Sequence, residues 1–562
     1  MCWLCDAGRP QVHGRSQLGR RDFLKASAVT GAAAAGLSLF AARPARASDD
    51  RDDPPEDSGR HGRRYVIRGG AVMTMDPSME NRGEWAQADV LVEGKKIVAV
   101  GKNLHVGSGA GVIDARGRIV MPGFIDTHHH QFETALRSFL ADGVLINDKS
   151  GSRASDRTYF EYILLTFAPV YRPEDVYISE LFGGLAQLDD GVTTVHDVSQ
   201  IHHSREHSDA AVKALFDTGR RAAFGYFESA GNVFTGSNPG NEYPQDATRL
   251  KNTWFSSSDQ LVHMIMGGEV YLGPDTYTKA WKIGRDLGLQ VAAHILSPFG
   301  IRPIFDDLAS RPASDPLSIR SDNLFIHMTG MADAAWQRVK DAGAQVSIAF
   351  PIEMNMRHGM PPIVRMMSMG MEPSLSTDVE VTMTADFFTQ MRVAMNLQRL
   401  VVNQMILDSP NGNNNLPDYR NWELPQSAVT VPAPPASFPY WPIPPSGIPA
   451  PLSARDVLRF ATINGAKHLR LDGKTGSLTP GKEADIIILD ATAPNVFPVN
   501  NVPGAVVSLM ERTNVETVIV AGKVRKWKGK LLGVDLPRLR QQLEASRDFI
   551  FTKAGVPQDP FH

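Results

Sequence analysis

Between Gly123 and Asp378 a short apolar run recurs eight times, and helix-like stretches with apolar residues three and four apart separate the runs. The runs are GFIDTH (123–128), GVTTVHD (191–197), RAAFGYFE (221–228), QLVHMIMG (260–267), LQVAAHI (289–295), NLFIHM (323–328), AQVSIAF (344–350) and PSLSTD (373–378). Short apolar runs of this kind read as buried strands, and the three-and-four spacing reads as amphipathic helix. Their alternation predicts an α/β fold, a (β/α)8 barrel of the TIM type spanning 121–470. A doubly wound open sheet is the competing arrangement, but no Gly-rich phosphate fingerprint follows the first run.

On either side of this middle the pattern changes to short alternating strands with Gly-rich turns, as in YVIRGGAVMTM and ADVLVEGKKIVAVG before it and GKEADIIILD and VETVIVAGKVRKWKGK after it. The two pieces, 65–120 and 471–530, predict one small β-sandwich-like domain assembled from both chain ends. Residues 531–562 are left as a C-terminal helix or tail. Residues 48–64 are charged, contain proline and lack periodicity, so a disordered linker is expected before Tyr65. The Pro-crowded stretch from Leu424 to Ser453 cannot be a helix or interior strand. It is either a surface excursion or a lid in which Phe438, Tyr440 and Trp441 cover a site.

The first 47 residues carry Arg20-Arg21, Phe23-Leu24-Lys25, an Ala-rich stretch and Ala45-Arg46-Ala47. This resembles a twin-arginine export signal with a cleavage site near Ala47. The export machinery is then a partner, and a periplasmic or extracellular location is expected. No other window approaches a transmembrane length, so no stable membrane span remains after cleavage. Both cysteines, Cys2 and Cys5, precede the signal, which excludes a thiolate metal site and a disulfide framework from the mature chain. The balance of 58 basic and 61 acidic residues gives no argument for nucleic acid as a partner.

Candidate chemistry collects at the ends of the predicted strands, the rim where such barrels hold their sites. His128-His129-His130 closes the first run. Strict alternation puts His128 and His130 on one side with Asp126 and sends His129 the other way, making a two-toothed metal clamp. Other strand ends supply His196 with Asp197, Glu228, His294, His327, Glu353 with His358, and Asp378. His196, Glu228 and His358 read as structural or supporting positions.

These residues resemble the amidohydrolase superfamily of metal-dependent hydrolases over nearly the whole mature chain, through VMPGFIDTHHH, AAHI, FIHMTGM, SLSTDVE and GKEADIIILD. The branch most resembled is the cytosine-deaminase-like and triazine-hydrolase-like one. The resemblance implies one divalent ion held by His128, His130, His294 and Asp378, with Asp378 also the catalytic base. His327 becomes a hydrogen-bond donor to the substrate or the attacking water. The lysine that bridges two metals in other members would belong on QLVHMIMG, which has none. Nitrogen and oxygen ligands without sulfur suit zinc first and iron(II) second. Dimers are common in the family, so a homodimer or higher homo-oligomer is one expected state.

The chain departs from that branch at Ser297, where its deaminases carry a Glu three residues after the fifth-strand His. Either Asp378 does all the proton work, or a carboxylate such as Glu353 substitutes. The expected activity is hydrolysis of a C–N bond (amide, lactam or related) in a small, cyclic substrate. Deamination of an aminated heterocycle is the alternative, and an inactive metal-binding scaffold the third reading.

Overall fold

The computed structural model describes residues 53–107, 109–147, 157–229, 243–408 and 447–559. The export signal, residues 48–52 and the proposed lid residues Phe438, Tyr440 and Trp441 lie outside them. The chain opens with five strands, β1 (Arg64–Met73), β2 (Glu84–Glu93), β3 (Lys96–Gly101), β4 (Gly111–Asp114) and β5 (Arg118–Pro122). Eight more follow: β6 (Phe124–His129), β7 (Val192–Ser199), β8 (Arg221–Tyr226), β9 (Val262–Gly267), β10 (Val291–Leu296), β11 (Asn323–Thr329), β12 (Gln345–Ile348) and β13 (Ser374–Leu375). These pair in parallel in sequence order, and each coincides with one of the eight runs read from the sequence. Helices lie between them, among them Pro173–Asp189, Arg205–Thr218, Pro274–Asp286 and Asp333–Ala342, and Phe387–Asp408 follows β13.

The barrel encloses Ile125, Val198, Ala223, Ile265, Leu324 and Ile326, with Ala466, Leu469 and Leu471 packed into the same cluster. A larger apolar layer fills the space between strands and helices. β13 is only two residues long, so the ring is closed by the residues that follow it. The Asp378 N–H donates to the His128 carbonyl at 3.0 Å, and the His130 N–H donates to the Asp378 carbonyl at 2.8 Å. Asp378 is in the left-handed region, φ 60°, which keeps both backbone bonds while its side chain joins the histidines.

The small sheet adds β14 (Ile486–Asp490), β15 (Val515–Val520), β16 (Lys523–Trp527) and β17 (Lys530–Leu531) to β1–β5, so both chain ends build it as expected. β5 and β14 are the seam, paired antiparallel from Arg118–Asp490 to Pro122–Ile486. The sheet meets the barrel at the amino ends of its strands. There Gly123 passes so close to Thr193 that a Cβ would lie 2.1 Å from its Cγ2. Arg221, at the start of β8 and 1% exposed, donates to Asp485 Oδ2 at 2.9 Å and to Glu483 Oε2 at 2.7 Å. The Gly-Lys-Glu-Ala-Asp motif is therefore an interdomain ion-pair clamp.

The stretch expected as a disordered linker is docked from Asp53 onward. Asp57 pairs with Arg60 and Arg63, and Ser58 Oγ accepts the Val524 N–H at 3.2 Å. Its charges find one another and the edge of the small sheet, which composition alone does not reveal. The C-terminal helix Leu536–Ala554 packs on Pro173–Asp189, with Ser546 Oγ donating to Asp175 at 2.7 Å.

Candidate metal centre

At the carboxyl ends of β6 and β10 three imidazoles converge. His128 Nε2 lies 3.0 Å from both His130 Nε2 and His294 Nε2. Asp378 Oδ1 is 3.5 Å from His128 Nε2 and 3.7 Å from His130 Nε2. Ligand atoms about 2.0–2.1 Å from a shared ion stand about 3.3–3.4 Å apart at tetrahedral angles, so the set fits a small divalent cation. The donor chemistry agrees. His130 Nδ1 faces the Val198 carbonyl at 3.0 Å, and a carbonyl only accepts, so the proton sits on Nδ1 and the Nε2 lone pair faces the cluster. His294 Nδ1 faces Glu269 Oε1 at 2.5 Å with the same result, and its backbone N–H donates to Glu269 Oε2 at 3.0 Å.

Burial dominates the electrostatics. It pushes the His128 and His130 imidazoles well below their ordinary range, and neighbouring histidines add to this, so both are neutral and fit to ligate. His294 also suffers burial, but the Glu269 carboxylate outweighs it and raises the ring. The Asp378 carboxyl is pushed up to about 7 by burial, against the pull of His294. A cation inverts that balance in favour of the carboxylate.

The expected partition of the histidine triplet holds for His128, His130 and His129, but not for Asp126. β6 sets four residues, Asp126 to His129, against three of β7, Val195 to Asp197. This bulge makes Thr127 and His128 both face inward. Thr127 Oγ1 contacts Ser347 and Ser374 across the barrel, and His128 joins the cluster. Asp126 faces the helices, where Gln187 Nε2 and Thr377 Oγ1 donate to it. His129 is on that outer side too, with Nδ1 3.0 Å from Thr377 Oγ1. Asp126 acts on the site through the backbone: Oδ1 accepts the N–H of His128 and of Thr377, each at 3.2 Å, tying β6 to the end of β13.

His327 Nε2 lies 3.6 Å from Asp378 Oδ2, and its Nδ1 is 2.9 Å from Glu353 Oε1. Glu353 thus sits behind His327 rather than in the pocket, and the expectation that it could directly replace the missing acid does not fit its position. Burial pushes its carboxyl well above the usual range. His196 Nδ1 bonds the Thr127 carbonyl at 3.0 Å, a structural tie between β7 and β6. Glu228 accepts the Glu269 N–H at 2.8 Å and so supports His294 at one remove. His358 lines the pocket beside His327, with ring centroids 4.7 Å apart.

Glu269 was not singled out from the sequence, although it follows β9 by two residues and so lies at the same rim as the other candidates. Glu269→Gln removes the carboxylate that orients His294, and metal affinity is expected to fall about 10–100-fold, read by competition with a chromophoric chelator. Tyr159 was also missed; it lines the pocket and donates to the buried Glu133 at 2.5 Å. Leu145, Leu164, Phe299 and Met356 supply apolar wall, and Gln200 and Tyr271 also line the pocket.

A closed parallel barrel with a His/Asp cluster at its carboxyl rim defines a metal-dependent hydrolase of the barrel class. The chain belongs to the Amidohydrolase family, whose model matches residues 119–419 and 449–525. Residues 17–36 match the TAT (twin-arginine translocation) pathway signal sequence. The 5'-deoxyadenosine deaminase of Methanosarcina acetivorans is 23% identical over 502 residues, 87% of this chain and 99% of that protein. A 5-methylthioadenosine/S-adenosylhomocysteine deaminase of Thermoanaerobacter pseudethanolicus is 22% identical, covering 85% and 97%. Among solved structures, an adenosine deaminase from Xanthomonas campestris with bound zinc superposes with a TM-score of 0.65 at 19% identity, over 88% of this chain and all of that one. The zinc complex of atrazine chlorohydrolase from Arthrobacter aurescens gives 0.67 at 21%, over 86% and all of that chain. Among the described residues no helix is long and apolar enough to cross a membrane.

Proposed function

We propose that this chain is an exported hydrolase with one divalent ion, zinc in first place and iron(II) in second, that cleaves a C–N bond of a small, neutral, cyclic substrate. The observation that carries the reading is the buried cluster in which His128 stands with His130 and His294 on one side and with His327 and Asp378 on the other. A divalent ion held by these residues would supply an acidified water and a Lewis acid for the substrate. Asp378 takes the proton that the attacking water loses and returns it to the leaving nitrogen. His327, steadied by Glu353, donates to the oxygen on which negative charge develops. The apolar walls exclude bulk water and favour an uncharged ring. The twin-arginine match supports export to the periplasm or beyond.

Deamination of an aminated heterocycle is the second reading, favoured by the deaminase names of relatives that match nearly end to end. Ser297 weighs against it, since a hydroxyl does not replace a carboxyl as proton donor. The zinc-loaded mature protein, screened against amides, lactams, carbamates and aminated heterocycles, is expected to release acid from the first three groups without ammonia from the fourth. Ammonia release alone would reverse the order of the two readings. Metal analysis should return about one ion per chain, the number a single four-ligand site holds; two would remove the mononuclear assignment.

A further inference from the structure

His358 is 4% exposed, and among the described residues neither of its ring nitrogens has a hydrogen-bond partner. It nevertheless lines the same pocket as Tyr159, Phe299 and Asp378. A buried polar group left unpaired costs stability unless something else completes it. We propose that His358 contacts the substrate, supplying the hydrogen bond that no carboxylate at position 297 provides. The inference rests on the hydrolytic reading of this site and adds a substrate-contacting residue to it.

The backbone around His358 explains how it comes to be there. Thr329 Oγ1 donates to the His358 carbonyl at 2.5 Å and accepts the Ser297 N–H at 3.4 Å, so the loop carrying His358 is fastened to the end of β10. Gly359, at φ 116°, lets that loop close in: a Cβ there would stand 3.1 Å from Thr329 Cβ and 3.6 Å from Ser297 Oγ. A Cβ on Gly330 would stand 2.6 Å from Ser297 Cβ, so the glycine lets the end of β11 pass close to Ser297.

Burial drives the His358 imidazole down to about 3, so the ring is neutral across the working range. A neutral imidazole offers one N–H donor and one lone pair. The chemistry that matches is a group with a donor and an acceptor side by side, such as the C=O and N–H of an amide or urea, carried on an apolar ring. The bland alternative is that His358 is packing, a flat ring set edge-on against His327 at 83°. Phenylalanine preserves that packing and removes both nitrogens.

The test uses the zinc-loaded mature chain and benzohydroxamic acid, which carries adjacent C=O and N–H groups on an aromatic ring and binds divalent metal. His358→Phe is expected to weaken its binding by about tenfold, with metal content and melting temperature unchanged. His358→Gln, which keeps a donor and an acceptor at similar reach, should stay within about threefold of the parent. Wild-type affinity in the Phe variant, or equal losses in Phe and Gln, would overturn the proposal. Loss of metal in either variant would overturn it too, by placing His358 in the metal's support. If the fully metal-loaded parent does not bind the probe, the open metal position itself is refuted and both readings fall together.

Discussion

Asp378→Asn is expected to lower kcat/KM by about 10²–10⁴-fold on whichever substrate the parent turns over. Asparagine keeps the shape of the side chain and leaves the two backbone bonds that close the barrel, from the Asp378 N–H to His128 and from the His130 N–H to Asp378. It is also among the residues that tolerate a left-handed backbone, here φ 60°. The fold is therefore retained, and the melting curve should show it. What disappears is the carboxylate charge: the cluster loses its only anionic member, and no group remains between water and leaving nitrogen to carry the proton. Metal content separates the two losses. A variant that keeps its ion but not its activity assigns Asp378 to proton transfer, whereas one that loses the ion shows that ligation dominates. Activity within tenfold of the parent would remove Asp378 from the mechanism.

The barrel was legible because eight short apolar runs, separated by stretches of helical periodicity, leave little choice of topology. Five of the site residues, His128, His130, His294, His327 and Asp378, were legible for a related reason, since they stand where strands end. What strict periodicity could not give was the bulge at Thr127 and His128. It arises from pairing with β7 and turns Asp126 toward the helices, although alternation puts it with the ligands. Glu269 escaped because its role is defined only by the ring of His294, a partner 25 residues away. The same holds for Glu353 behind His327 and for the docked turn at Asp57, whose charges look like a solvated tail until their partners are in place. His358 marks the other limit. A sequence can show a histidine beyond β12, but not that its loop is fastened to Thr329 with the ring buried at the pocket.

Arg221→Met is expected to cost about 3–5 kcal/mol of stability, because it leaves two carboxylates buried without their counter-charge. Methionine fills much of the arginine stem's volume, so little of the loss comes from a cavity. Glu483 and Asp485 are 5% and 1% exposed at their side chains, so bulk solvent gives them little compensation. Arg221 itself is buried, yet the two carboxylates outweigh that burial and hold it charged. Glu483 keeps weak help from Lys95 at 3.6 Å and Lys96 at 3.9 Å, whereas Asp485 retains only the Ala521 N–H at 2.7 Å. The larger share of the penalty accordingly falls on Asp485, and adding Asp485→Asn to Arg221→Met should recover part of the lost melting temperature. The clamp lies at the amino end of β8, and the metal cluster lies at the carboxyl ends of the strands. Turnover per folded molecule should therefore match the parent at 25 °C even as the melting temperature falls. Equal losses of activity and stability would mean that the small sheet does more than hold the barrel's lower rim. An unchanged melting temperature would show that the two carboxylates are neutral in the folded chain and that the motif is not an ion-pair clamp.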